Sequence, residues 1–144
     1  MYSRVARQEQ QRRNVVTSTS ANKPAPIYDR KDQWEKVRAS LLPGEEIEAV
    51  FDLKSAGTGF IAITSKRVIL YDKAFLRKMK AIVSIPYSRI YAIAAEDEEA
   101  WWGHRGFWSS SKLMLVTARN EYEIEFRGSD KAHLAHDLIL QHMV

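Results

Sequence analysis

GFIAITSKRVILYD, residues 59–72, is the stretch whose reading decides the fold. Two β-rich runs, Phe60–Thr64 and Arg67–Asp72, flank the dipeptide Ser65–Lys66, a spacing that suits a tight antiparallel hairpin. Ser-Lys is not a preferred pair for a type I′ or II′ turn, so the prediction rests on the runs more than on the turn. A hairpin this apolar needs cover on at least one face and therefore belongs to a larger sheet. It points to a small β scaffold and away from a catalytic fold.

On the N-terminal side, Ile47, Ala49 and Phe51 alternate with charged or polar neighbours, which predicts a half-buried strand from Glu45 to near Lys54. Residues 55–59 (SAGTG) turn the chain into the hairpin. Further upstream, Trp34, Val37 and Leu41 fall on one face of a helix over 32–42. Asp29 or Asp32 is a candidate cap, and Pro43–Gly44 supplies a stop. On the C-terminal side, a basic connection (KAFLRKMK, 73–80) leads to a strand over Ala81–Ile85, then Pro86. Strands over Ile90–Ala95 and Lys112–Ala118 follow, separated by the acidic cluster Glu96–Glu99 and a loop, 101–111. Arg119–Asn120 is a two-residue turn. Tyr122, Ile124 and Phe126 then alternate with Glu121, Glu123 and Glu125, the cleanest period-two pattern in the chain. The end reads as a helix over 130–142, capped by Ser129, with Ala132, Leu134, Ala135, Leu138, Ile139 and Met143 on its buried side.

The length, 144 residues, is that of one ordinary domain, and a hydrophobic fraction of 45% is enough for a real core. There is no cysteine, which excludes disulfides, thiolate metal sites and cysteine nucleophiles. No apolar run approaches the roughly 18 residues a bilayer span needs, and residues 1–16 lack the apolar segment of a secretory signal. A cytoplasmic location is expected, with attachment to the inner face of a membrane left open. The net charge of +4 is unevenly placed. Residues 1–31 hold seven basic side chains against Glu9 and Asp29, whereas the remaining 113 residues hold 15 basic and 16 acidic ones. Residues 1–27, polar and carrying Pro24 and Pro26, read as a basic extension to a domain spanning 28–144.

Three elements resemble those of bacterial pleckstrin-homology-like (PH-like) domains. Leu42-Pro-Gly-Glu-Glu46 is similar to the lead-in to that family's first strand. Ile63-Thr-Ser-Lys-Arg67-Val-Ile-Leu70 is similar to its hairpin, and Ile85-Pro-Tyr-Ser-Arg-Ile90 to its I-x-Y-x-x-I element. With the closing amphipathic helix, the resemblance covers about residues 41–144. It implies a mainly β fold: a partly open barrel of about seven antiparallel strands in two near-orthogonal sheets, capped by the C-terminal helix. Thr64 and Arg67 are expected to serve the turn and its packing. The first loop, Lys54 to Gly59, lacks the closely spaced Lys/Arg-x-Arg of phosphoinositide-binding relatives, so a specific inositol-phosphate site is not implied.

Two groups of residues stand out as candidate surfaces. Trp101, Trp102, Arg105, Phe107 and Trp108, broken by Gly103 and Gly106, are candidates for protein interaction. The same aromatics could instead close the barrel mouth or enter a membrane interface. Arg4, Arg7, Arg12 and Arg13 in the extension, with Lys73, Arg77, Lys78 and Lys80, are candidates for an anionic surface; solvated edge protection is the plainer reading of the second set. His133 and His136 have an i, i+3 spacing without a third ligand, so no metal site is expected. No phosphate-cradling loop and no G-x-S-x-G elbow occurs, and nothing suggests a cofactor or sequence-specific nucleic-acid recognition. The expectation is a non-catalytic interaction module that binds a protein partner or itself through strand edges and the aromatic loop. The alternative is salt-sensitive attachment to anionic membranes.

Overall fold

A computed structural model of the chain describes residues 24–54, 59–72, 81–97 and 110–144. Strands β1 (Ile27–Tyr28), β2 (Ile47–Asp52), β3 (Phe60–Thr64), β4 (Arg67–Asp72) and β5 (Ala81–Pro86) form one sheet in that order. Strands β6 (Ile90–Asp97), β7 (Ser110–Thr117) and β8 (Glu121–Arg127) form a second. Helix α1 (Lys31–Arg38) precedes β2, a 3-10 turn (Tyr87–Arg89) links the sheets, and α2 (Lys131–Met143) ends the fold. The mainly β architecture with its C-terminal helix is the one expected. Both strands of the deciding hairpin have the predicted ends.

β1 is an addition to the seven strands read from the sequence. It pairs parallel with β2, Ile27 against Ala49 and Tyr28 against Val50. Two residues that follow Pro24 and Pro26 leave no periodicity to read. Every other pairing is antiparallel. An isolated bridge between Leu53 and Phe126, with the Lys54 amide donating to the Glu125 carbonyl at 2.9 Å, joins the sheets at a corner. Among the described residues the barrel does not close, because no strand pairs with the outer edge of β5 or of β6.

The main core lies between the sheets and α2. Phe51, Ile61, Ile63, Leu70, Leu113, Leu115, Ile124 and Phe126 fill it, and Phe51 meets Phe126 edge to face with centroids 5.9 Å apart. A second cluster lies on the other face of the first sheet, where Val37 of α1 packs with Val50, Phe60, Ala62, Ile69 and Tyr71, with Trp34 and Leu41 partly buried against them. β3 is therefore buried at every position. β2, read as half-buried, also buries Val50 on the α1 side. Alternation in the sequence reports the inner face; only the docked helix makes the outer face dry.

Both helices depart from expectation in detail. α1 ends at Arg38, well before Pro43, with Ser40 Oγ donating back to the Val37 carbonyl. Neither Asp29 nor Asp32 caps it. Asp32 holds Arg30, and Asp29 accepts from the Asp52 amide and from Lys131. Ser129 does not cap α2; buried Ser111 on β7 accepts from the Ala132 amide at 3.1 Å. Leu134, expected inside, is exposed, whereas Ala132, Ala135 and Ile139 are buried. The small alanines let α2 approach the sheet, which narrows the face it buries.

Candidate functional site

None of the sequence-predicted site residues falls within the described segments. Trp101, Trp102, Arg105, Phe107 and Trp108 lie outside the described residues, as do Arg4, Arg7, Arg12, Arg13, Lys73, Arg77, Lys78 and Lys80. The strand ends that bracket them are described. Register aligns Asp52 with Phe60, Phe60 with Tyr71, and Tyr71 with Ile82. From the corner at Leu53, a second row runs through Phe126 and Ser111 to Asp97. Connections 55–58, 73–80 and 98–109 therefore all start and finish along one rim of the barrel.

The opposite rim carries the buried polar chemistry. Glu45, from the lead-in to β2, has a side chain with 0% exposure, and Arg67 at the start of β4 is 18% exposed. Arg67 Nε lies 2.9 Å from Glu45 Oε1 and its Nη2 3.1 Å from Oε2, a two-pronged pair. Thr64 Oγ1 donates to Glu45 at 2.7 Å, and the Leu42 amide donates to its other oxygen at 2.7 Å. Burial pushes the Glu45 carboxyl up, but hydrogen bonds from Arg67, Leu42 and Thr64, with the Arg67 charge, outweigh it and bring the group down to about 2. The Arg67 and Lys66 amides donate to Thr64 Oγ1, so the hydroxyl closes the Ser65–Lys66 turn that its own sequence does not favour. Thr64 and Arg67 thus serve the hairpin, as expected from the resemblance. Glu45 as their partner was not legible, since a Glu after Pro-Gly reads as solvent-facing.

Tyr87, on the 3-10 turn, donates its hydroxyl to the Thr64 carbonyl, tying the sheet linker to the hairpin. Its ring stacks on His142 of α2 at 4.4 Å, and His142 Nε2 lies 3.0 Å from both carboxylate oxygens of Glu48. Burial, with the Glu48 charge nearby, pushes the Tyr87 phenol well above its usual value. This rim is therefore built of paired groups that hold hairpin, linker and terminal helix together.

Two surface features remain free. Among the described residues the outer edges of β5 and β6 are unpaired, and they carry Ile82, 57% exposed, and Tyr91, 64% exposed. A groove of about 400 Å³ lies between β5 and the β7–β8 turn, lined by Val83, Ser84, Pro86, Arg89, Arg119 and Tyr122 among others. No helix among the described residues is long and apolar enough to cross a membrane.

The family model of the bacterial PH domain matches residues 41–140, most of the chain. A solved structure of a DUF1696 family protein with a pleckstrin-homology domain, from Shewanella loihica PV-4, is similar with a TM-score of 0.53 and 17% identity. That match covers 81% of this chain and 98% of the other. The hSac2 domain from the human phosphoinositide phosphatase Sac2 gives a TM-score of 0.44 at 13% identity, covering 77% of this chain and 80% of that one. No curated protein matches the sequence. The motifs, the two-sheet topology with its terminal helix and the matched span agree, and the chain belongs to the bacterial PH domain family.

Proposed function

We propose that this PH domain is a non-catalytic interaction module that associates with a protein partner, a second copy of itself included, through its open strand edges and the aromatic segment 101–108. The observation that carries this reading is the pair of unpaired edges on β5 and β6, each presenting a large exposed apolar side chain, Ile82 and Tyr91. An unpaired edge offers a row of backbone donors and acceptors to another chain, and apolar side chains along it favour burial. In sequence, segment 101–108 follows β6, one of these two edge strands, after residues 98–100. Light scattering coupled to size exclusion on the full chain tests it, with Trp101→Ala/Trp102→Ala and Tyr91→Lys variants. A defined oligomer that persists in high salt, and loses mass in either variant, is the expected result. A monomer, or an oligomer whose mass neither variant changes, counts against self-association.

A second reading is salt-sensitive attachment to anionic membranes through Arg4–Arg13 and Lys73–Lys80. Its support is the register that starts the 73–80 connection at the same rim as 55–58. Exposed Glu96, near the end of β6 on that rim, opposes it. Cosedimentation with anionic vesicles that vanishes at high salt and on changing Lys73, Arg77, Lys78 and Lys80 to Gln is expected. Salt-insensitive binding would contradict it.

A further inference from the structure

β1 and the strand it lies against are unlike. β1 contributes two residues, Ile27 and Tyr28, which are 45% and 47% exposed and belong to neither core cluster. Before them, Pro24, Ala25 and Pro26 line a groove of about 390 Å³ with Trp34, Leu41 and Ile47. The two prolines have no N–H with which to lengthen the pairing. β2 is six residues long, and its Ala49, Val50 and Phe51 are fully buried. Past Asp52 its edge passes into the corner bridge between Leu53 and Phe126. β1 and Asp29 thus cover the interval from Ala49 to Asp52.

Asp29 makes most of the attachments. Its amide donates to the Val50 carbonyl at 3.1 Å. Its Oδ2 accepts from the Asp52 amide at 2.9 Å and from Lys131 Nζ at 2.7 Å. Lys131 opens α2, 102 positions along the chain, so one carboxylate joins β1, the edge of β2 and the terminal helix. Tyr28 adds a tilted ring contact with Trp34, centroids 5.9 Å apart.

We infer that residues 24–29 form a releasable strap, latched by Asp29 on Lys131, which covers the edge of β2 and keeps it from pairing with a second copy of the chain. A two-residue pairing with half-exposed side chains opens at far lower cost than the buried strands beside it. Once open, the β2 edge presents backbone donors and acceptors along an apolar run, an arrangement prone to edge-to-edge association. The same edge on two copies can meet about a two-fold axis. The strap lies outside residues 41–140 matched by the family model, and the edge it covers is distinct from those of β5 and β6.

The test is amide hydrogen exchange on the full chain, with light scattering coupled to size exclusion. The Asp29 and Asp52 amides should exchange together, at least about tenfold faster than the amides of β3. Lys131→Gln leaves both bonds between Asp29 and β2 in place, so its effect on them reports the latch. It should speed exchange at these two amides by about threefold to tenfold and leave β3 unchanged. Asp29→Ala is made together with Tyr91→Lys, so that association through the β6 edge does not contribute. Its mass should rise above that of Tyr91→Lys alone, and dilution should reverse the rise. If Asp29→Ala fails to fold, Lys131→Gln in the same background supplies this reading. Exchange of Asp29 and Asp52 only at the rate of β3 would overturn the strap as an element that opens by itself. Unchanged mass in the folded latch variants would overturn its role as a guard.

Discussion

Arg67 and Arg89 stand at the same rim, on either side of β5, and their surroundings are opposite. Arg67 is mostly buried, and its guanidinium is shared among Glu45, Ser84 and the Ser40 carbonyl. Arg89 is exposed and meets no acceptor among the described residues. A buried charge must be fully paired, because the desolvation cost otherwise exceeds what any fold of this size tolerates. An exposed charge is under no such constraint and stays available to something outside the chain. Residue type alone therefore says little about what an arginine does here; the acceptors that surround it decide whether it holds the fold or faces outward.

Removing the carboxylate from the paired site should have the largest effect. Glu45→Ala strands Arg67 and leaves Thr64 Oγ1 and the Leu42 amide without their acceptor, at a cost of about 3–5 kcal/mol in urea unfolding. A loss well under that range would mean that water reaches Arg67 and that the contrast with Arg89 is weaker than drawn.

Acid should remove part of the same stabilisation without mutation. The Glu45 carboxyl lies at about 2 in the folded chain against 4.5 as its ordinary value. A depressed carboxyl contributes stability that is complete above the unfolded value and is lost as pH falls toward the folded one, on the order of 3 kcal/mol. The urea midpoint should therefore fall between about pH 4.5 and about pH 2. Glu45→Gln should flatten that part of the profile; an unchanged slope would assign it to other carboxyls.

A smaller effect is expected from Tyr87→Phe, which keeps the stack on His142 and removes the hydroxyl bond to the Thr64 carbonyl. The loss should be about 1 kcal/mol, read from the same unfolding curves. Last, Arg89→Gln/Arg119→Gln should leave the unfolding midpoint where it is, since neither side chain holds a partner among the described residues. A clear destabilisation would break the comparison by showing that these arginines support the fold after all.

How much of this was legible depends on the range of the interaction. The hairpin strands, the β8 alternation and the position of α2 were readable, because each follows from a local run of side chains. The cap of α2 was not, since Ser111 lies 21 positions from Ala132, and a nearby Ser129 offered a plausible local answer. The candidate surfaces were chosen where charge and aromatics are dense in sequence, and all of those residues lie outside the described segments. Arg89 and Arg119 are 30 positions apart and drew attention only as parts of a motif and a turn. No sequence pattern could join them, as both line a groove between β5 and the β7–β8 turn.

By itself, the sequence determined the class of structure. Period-two runs, turn spacings and one amphipathic end leave a small antiparallel barrel with a terminal helix as the arrangement that buries them. Only the tertiary structure decided which polar groups are spent on the fold and which are left over. Pairing depends on distances between atoms far apart along the chain, and periodicity carries no information about them. Hence Glu45 is fixed inside against Arg67, and Arg89 and Arg119 are left facing the same open groove.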